Sequence, residues 1–518
     1  MSELKIESNF SNKEIVILLS ILITGSILFR VIIFPYDLPI PQDGQMYFWY
    51  ANDMSLTKGI PDWGNTYFPN TLWPTFLSIF FSSFSSENVL DYMELQRAVS
   101  IGLSIITAIP IFFLCRKFVR QEYALIATSL FLFEPRLIQN SLGGLTEPMF
   151  LLLTVTAIVV YLNRRISLIY ISFIILALAT LTRYEAALLV VPFSLLFIWK
   201  NKNSKRIFHL IICLAIFFII IISIDNLRSA NTEANLPTIS DHYFTKDIDS
   251  SMINLDKENN SLMQKVALQT INLIKYYGWL TIPLFFIFLP VGLYQFFKNR
   301  NFEKWTVLIC AICLLLPSFY ALLRDFTEIR YLYTQIPFLC IVAAIAIEFF
   351  IQRIKKPKIM TVLFITGIIL VGGIFYSEQT SMNYELEMEY LEIAKKINKN
   401  MQVSNQIFPV GKYIRSANIV ELNEFPVLRD SFDLFYFEII KNKHHNSLEK
   451  LLQLGKEKNL EYLIIDSDGD GIDYLHDLFK NEEKYPFLEK TYDSKLDGFT
   501  YHVKFFKINY DIFNKYYG

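Results

Sequence analysis

Apolar residues gather in long runs along this chain, separated by short polar connections, with little of the alternation that marks half-buried strands. A bilayer span takes about 20 mostly apolar residues. The pattern therefore predicts a polytopic α-helical membrane protein with about eleven transmembrane helices. The expected spans are 15–36, 97–115, 122–137, 146–162, 167–181, 184–199, 207–224, 279–297, 305–322, 331–352 and 359–376. The stretches 122–162 and 167–199 read as tight helical hairpins. The run 71–84 is shorter and contains Pro74, so it is expected to dip into the membrane or lie along its interface.

Lys and Arg fall on alternate connections of this eleven-span arrangement. One set carries Arg116, Lys117 and Arg120, then Arg164 and Arg165, then Lys200, Lys202, Lys205 and Arg206. It continues with Lys298, Arg300 and Lys304, and ends with Arg353, Lys355, Lys356 and Lys358. Positive residues mark the cytoplasmic side, so the N-terminus is expected inside and the C-terminus outside, in the plasma membrane. Three outer segments are large: 37–96, 225–278 and 377–518. Residues 1–376 form the expected membrane domain, and the tail 377–518 is long enough to bury its own core. The tail mixes strand-like runs near 406–409, 462–466 and 501–508 with helical ones at 383–400 and 446–458, which predicts an extracytoplasmic α/β domain.

Composition agrees. Hydrophobic residues make up 53% of the chain, above the range usual for soluble domains. A net charge of −1 provides no basic field for nucleic acid. The five cysteines lie in or beside apolar runs, which argues against a disulfide framework, and Cys310 with Cys313 reads as helix packing. No small-residue cleavage site follows the charged N-terminus, so the first run reads as an uncleaved anchor. No glycine-rich phosphate loop, zinc-protease motif or nucleophile elbow is present.

Polar residues with chemical potential collect at the expected outer ends of the spans. Asp43 follows Pro39 and Pro41, which break the first helix, and precedes Gly44 and the aromatic run Tyr47 to Tyr50, expected at the interface. A carboxylate at the membrane boundary is partly desolvated, which suits a general base; a solvated loop Asp is the plainer reading. Glu147 opens the fourth span between Thr146, a candidate cap, and Pro148, with Gly143 and Gly144 allowing close backbone approach. It either orients a substrate beside Asp43 or simply favours the helix dipole. Arg183 and Glu185 flank Tyr184 in the next outer turn and could neutralise each other. Arg324, Asp325, Glu328, Arg330 and Tyr331 lie in an outer loop, against the positive-inside bias. The arginines suit a lipid phosphate, or pairing with Asp325 and Glu328. In the tail, Asp466, Asp468, Asp470, Gly471 and Asp477 follow the spacing of an EF-type calcium loop, although a strand precedes them and the last ligand is Asp. Either a divalent cation or a solvated acidic turn fits.

The layout resembles the GT-C superfamily of membrane glycosyltransferases, in particular the branch of protein O-mannosyltransferases and lipid A aminoarabinose transferases. The resemblance covers about residues 15–350 and rests on the order and side of short motifs. These are Gln42-Asp43-Gly44 followed by Tyr47, Tyr67-Phe68-Pro69 leading to Trp73-Pro74, and Arg97 opening the second span. Thr146-Glu147-Pro148, Leu181-Thr182-Arg183-Tyr184-Glu185, and Arg330-Tyr331 ahead of Pro337 complete the set.

The resemblance implies a polyprenyl- or dolichyl-phosphate sugar donor and an extracytoplasmic site, with Asp43 as the essential carboxylate and Glu147 as the second acid. It implies inverting transfer to a hydroxyl of a glycan, lipid or protein, with Arg183, Arg324, Arg330, Tyr331 and Tyr47 on the substrate. Many relatives carry two consecutive acids in the first loop, and Gly44 here replaces the second. The tail shows no β-trefoil, so a protein acceptor is not specifically implied. The alternatives are a transporter or flippase of lipid-linked sugars, which predicts mid-span charges and an inverted repeat, and a non-catalytic scaffold.

Overall fold

A computed structural model of the chain describes residues 10–61, 71–163, 165–201, 204–230, 262–298, 301–324, 327–400, 407–409, 425–426, 428, 447–457, 460–467 and 473–517. Tyr67, Phe68, Pro69, Arg164, Lys202, Arg300, Asp325, Asp468, Asp470, Gly471 and most of segment 225–278 lie outside the described residues. The chain divides into two compact units. The first comprises Met1–Phe34, Thr57–Ile79 and Gln96–Ser381; the second comprises Pro35–Leu56, Phe80–Leu95 and Met382–Gly518.

The helices, in chain order, are α1 (Asn12–Ile32), α2 (Gln42–Thr57), α3 (Leu72–Ser83), α4 (Val89–Ile106), α5 (Ala108–Cys115), α6 (Gln121–Leu132), α7 (Pro135–Leu142), α8 (Glu147–Tyr161), α9 (Ile166–Thr182) and α10 (Val190–Lys200). They continue with α11 (Arg206–Ala230), α12 (Leu262–Thr281), α13 (Leu289–Lys298), α14 (Phe302–Leu323), α15 (Ile336–Ile351) and α16 (Pro357–Phe375). Helix α15 is apolar and buried without a break from Ile336 to Ile347, as a central helix must be; Glu348 in its last turn pairs with Arg120. It packs on α6 and on α13, where Gly292 lets the backbones meet: a Cβ there would stand 2.3 Å from the Val342 carbonyl oxygen. By contrast, α1 and α11 leave most of their apolar surface outward, with only 22% and 17% of their apolar windows buried. Water would not tolerate such faces at that extent; a bilayer does.

Six helical segments among the described residues are long and apolar enough to span a membrane, and a seventh results if α12 and α13, bent by 106°, form one span. The difference from eleven comes from four runs, 122–137, 146–162, 167–181 and 184–199. Each carries helix, but in pieces of 17 residues or fewer. The first of these runs breaks at Glu134, whose carboxylate caps α7 by accepting from the Arg136 and Leu137 amides. Run 71–84 forms the 12-residue α3, too short to span. Arg97 lies well inside α4 rather than opening a helix, because that helix begins at Val89.

The second unit centres on a four-stranded sheet, β1 (Ile407–Pro409), β2 (Tyr462–Asp466), β3 (Leu488–Asp493) and β4 (Val503–Ile508), in the order β1-β2-β4-β3. β1 and β2 are parallel and the other pairs antiparallel. Helix α17 (Tyr384–Asn400) packs Tyr390, Ile393 and Ile397 on the face showing Ile464, Val503 and Phe505. Helices α18 (Leu448–Glu457), α19 (Asp473–Lys480) and α20 (Tyr510–Tyr517) cover the other face, over Leu463, Ile465, Phe506 and Ile508. β3 escapes a reading by pattern because it is a polar edge strand in which only Leu488 is buried.

Within this unit, α2 starts directly after Pro41, whose carbonyl accepts from the Gln45 amide. The aromatic run expected at an interface is instead core: Phe48, Trp49 and Tyr50 are buried. Phe48 stacks on Phe425 at 5.9 Å and meets Phe81 edge-on, with Tyr92 also on Phe425.

Candidate active site

The fixed point of the first unit is the turn between α7 and α8. Gly144 holds a left-handed φ of +65°, and a Cβ there would lie 3.0 Å from the Gln96 side chain. Its carbonyl accepts from Gln96 Nε2 at 2.8 Å and Trp73 Nε1 at 3.3 Å, while the Leu142 carbonyl accepts from Arg97 Nε at 3.0 Å. Three buried donors from α3 and α4 thus satisfy the carbonyls left open by the end of α7. This fixes where α8 begins, and Glu147 is its first residue. Thr146 makes no capping hydrogen bond; its hydroxyl instead lies 3.4 Å from Arg183 Nη1.

Arg183 ends α9 in extended conformation and turns its guanidinium toward two carboxylates. Nη1 donates to Glu147 Oε1 at 2.6 Å, and Nη2 and Nε donate to Glu185 Oε1 at 2.7 and 3.2 Å. Glu147 is 4% and Glu185 7% exposed, so these are desolvated, charge-assisted bonds. The second oxygen of each carboxylate, Oε2, is buried with no hydrogen-bond partner in the protein. Glu185 sits on a 3₁₀ turn, Tyr184–Leu189, ahead of α10; a second 3₁₀ turn, Ile329–Gln335, precedes α15 and carries Arg330 and Tyr331. Both turns wall one cleft, lined by Glu147, Arg183, Glu185, Arg330, Tyr331 and Tyr333 with apolar neighbours such as Phe150. The Arg183 and Arg330 guanidinium carbons lie 5.6 and 5.8 Å from the Tyr331 ring centroid, and Arg330 pairs with the exposed Glu328 at 2.5 Å.

Four of the residues singled out from sequence, Glu147, Arg183, Arg330 and Tyr331, therefore line one cleft. Arg324 ends α14 over the Tyr320 ring and is not among the lining residues. Asp43 and Tyr47 belong to the second unit, on α2. Asp43 is exposed in the first helical turn, so the protein supplies little of the desolvation expected for it. Glu185, read from the sequence as a neutralising neighbour of Arg183 and as the end of the Leu181–Glu185 motif but not as a site residue, also lines the cleft.

Of the acidic spacing in the tail, Asp468 and Asp470 lie outside the described residues. Asp466 is buried on β2 and accepts from the Tyr501 hydroxyl. Asp477, on α19, accepts from Tyr485 Oη at 2.7 Å and Asn481 Nδ2 at 2.6 Å, and these bonds hold its carboxyl below the ordinary range. No group of three or more metal-ligating side chains occurs among the described residues.

A helical membrane domain of this kind, carrying an α/β unit, has the fold of the GT-C membrane glycosyltransferases. The chain is similar to ArnT from Cupriavidus metallidurans bound to undecaprenyl phosphate, with TM-score 0.63 at 10% identity, covering 96% of this chain and 98% of that one. It is also similar to the archaeal oligosaccharyltransferase AglB from Archaeoglobus fulgidus, in complex with an inhibitory peptide and a dolichol-phosphate. There the TM-score is 0.58 at 13% identity, over 97% of this chain and 75% of that one. By sequence the chain belongs to the family described as predicted membrane protein (DUF2079), matched over residues 94–420. No curated protein sequence matches it.

Proposed function

We propose that the chain is a glycosyltransferase of the plasma membrane that moves one monosaccharide from a polyprenyl-phosphate donor to an acceptor hydroxyl on the extracytoplasmic side, with inversion. The observation that carries this reading is the cleft in which Arg183 bridges Glu147 and Glu185 beside Arg330 and Tyr331. It lies on a fold shared with two proteins whose structures hold a polyprenyl or dolichyl phosphate. The acceptor oxygen bonds to the anomeric carbon as the bond from that carbon to the phosphate oxygen breaks. The bonding pair leaves with the phosphate, and the acceptor proton passes to Asp43. Arg330 steadies the charge gathering on the departing phosphate, an electrostatic role. The acceptor is a glycan, a lipid or a protein hydroxyl.

The test is transfer of radiolabel from polyprenyl-phosphate sugars in membranes containing the chain. Asp43→Asn is expected to reduce transfer by about 10²-fold or more, as loss of a general base does, with normal insertion and expression. Undiminished transfer removes Asp43 from the reaction. Label that crosses the membrane still attached to its lipid, with none reaching an acceptor, favours the transporter reading.

A further inference from the structure

The charges of the cleft do not suit a phosphate at Arg183. Its guanidinium already donates to two carboxylates, so a phosphate approaching it would meet Glu147 and Glu185 at close range. What this end of the cleft lacks is hydrogen-bond donors. Glu147 Oε2 and Glu185 Oε2 are both buried and unpartnered in the protein, and each residue lines the cleft. A buried acceptor without a donor costs about 1–3 kcal/mol, more when it is charged, so two on one pair of neighbouring carboxylates call for a ligand that brings donors. The other end differs. Arg330 is paired with Glu328, which is 57% exposed in its side chain and can exchange its place for another anion. The Tyr331 ring is close to both arginines.

We infer that Glu147 and Glu185 form a subsite for the hydroxyl groups of the donor sugar, with Arg183 holding both carboxylates in place and the phosphate seated at Arg330. This rests on the glycosyltransferase reading and gives the donor a direction in the cleft. Glu185 becomes a substrate-binding residue, and Arg183 a positioning residue rather than a phosphate clamp. The ligand class is a polyhydroxylated sugar on a polyprenyl phosphate.

The experiment is native mass spectrometry of the full chain in nanodiscs, with undecaprenyl phosphate and a panel of undecaprenyl-phosphate hexoses and pentoses as probes. The wild type should bind at least one sugar-bearing lipid more tightly than bare undecaprenyl phosphate. Glu185→Gln should cut that preference about tenfold, the loss of one charged hydrogen bond, while leaving bare undecaprenyl phosphate bound as well or better. Arg330→Gln should weaken both forms alike. A merely structural role for Glu185 would lower both affinities together and leave their ratio unchanged, and either that result or an unchanged preference overturns the subsite. If Glu185→Gln does not fold, the wild type with singly deoxygenated sugars supplies the same measurement, and equal binding of every deoxy form overturns it. Failure of the wild type to bind undecaprenyl phosphate in any form counts against the glycosyltransferase reading itself; binding with no preference for a sugar sinks the subsite alone.

Discussion

Arg183 places one positive charge between two buried carboxylates, and this fixes what its replacement must do. Removing the guanidinium leaves Glu147 and Glu185 facing each other without compensation. Breaking a buried pair this way costs about 3–5 kcal/mol, and the 13% exposure of the Arg183 side chain argues for the lower end. Arg183→Ala should therefore lower the thermal unfolding midpoint in detergent markedly. A charge-neutral rescue is also expected: adding Glu185→Gln to Arg183→Ala should recover part of the loss, since one uncompensated charge is gone. Equal midpoints for wild type and Arg183→Ala would mean that the pair carries no stabilisation. Lysine is a poor substitute because its ammonium lacks the planar fork that reaches two carboxylates at once.

The turn joining α7 to α8 is an element whose shape matters more than its composition. Gly144→Ala forces a side chain into a left-handed backbone, costing about 1–2 kcal/mol, and drives its Cβ against Gln96. The expected outcome is a folded but less stable protein in which Glu147 is displaced, so transfer falls more than stability; a stability loss with unchanged transfer would show that Glu147 is not positioned by this turn. The sequence already pointed at this turn, because paired glycines before Thr-Glu-Pro mark a close approach and a helix start. What approaches was not legible: Gln96, Arg97 and Trp73 come from segments distant in sequence, and only packing brings them to the two carbonyls. Glu185 was overlooked for a related reason. Two residues from Arg183, it looked like a local partner, whereas its 3₁₀ turn aims it into a cleft shared with α8 and the turn before α15.

The sheet offers a second prediction at this scale. His502 on the segment leading into β4 bonds Asp493 at the end of β3, Nε2 to Oδ1 at 2.8 Å. Burial holds the His502 imidazole below its ordinary value against the pull of Asp493. Asp493 is itself opposed by burial, yet His502 and the Lys495 amide hold its carboxyl below the usual range. Both groups bind fewer protons folded than unfolded, so stability rises with pH through their titration. The His502 contribution is present above about pH 6.5 and is lost as pH falls through its lower folded value; that of Asp493 follows only below about pH 4. Acid titration followed by tyrosine fluorescence should show a destabilisation starting below pH 6.5 that is reduced in His502→Gln. A stability curve flat from pH 7 to 4.5 would contradict it.

For the whole molecule, the direction of the chain through the bilayer joins the charge pattern to the helix count. An N-terminus inside and a C-terminus outside require an odd number of crossings. The six long apolar segments alone would put both ends on one side, whereas counting the bent α12–α13 pair as a crossing makes seven, and the short helices must then cross in pairs or not at all. The native cysteines give little background for labelling, since four are buried and Cys313 is half-buried. Leu496 is 85% exposed in the loop between β3 and β4, and Ser204 is exposed on the Lys- and Arg-rich connection between α10 and α11. In intact cells, a membrane-impermeant maleimide should label Leu496→Cys and not Ser204→Cys; after lysis both should react. Labelling of Ser204→Cys before lysis would reverse the orientation, carry the cleft's 3₁₀ turns to the cytoplasmic side, and leave a lipid-linked donor to be met from within the cell.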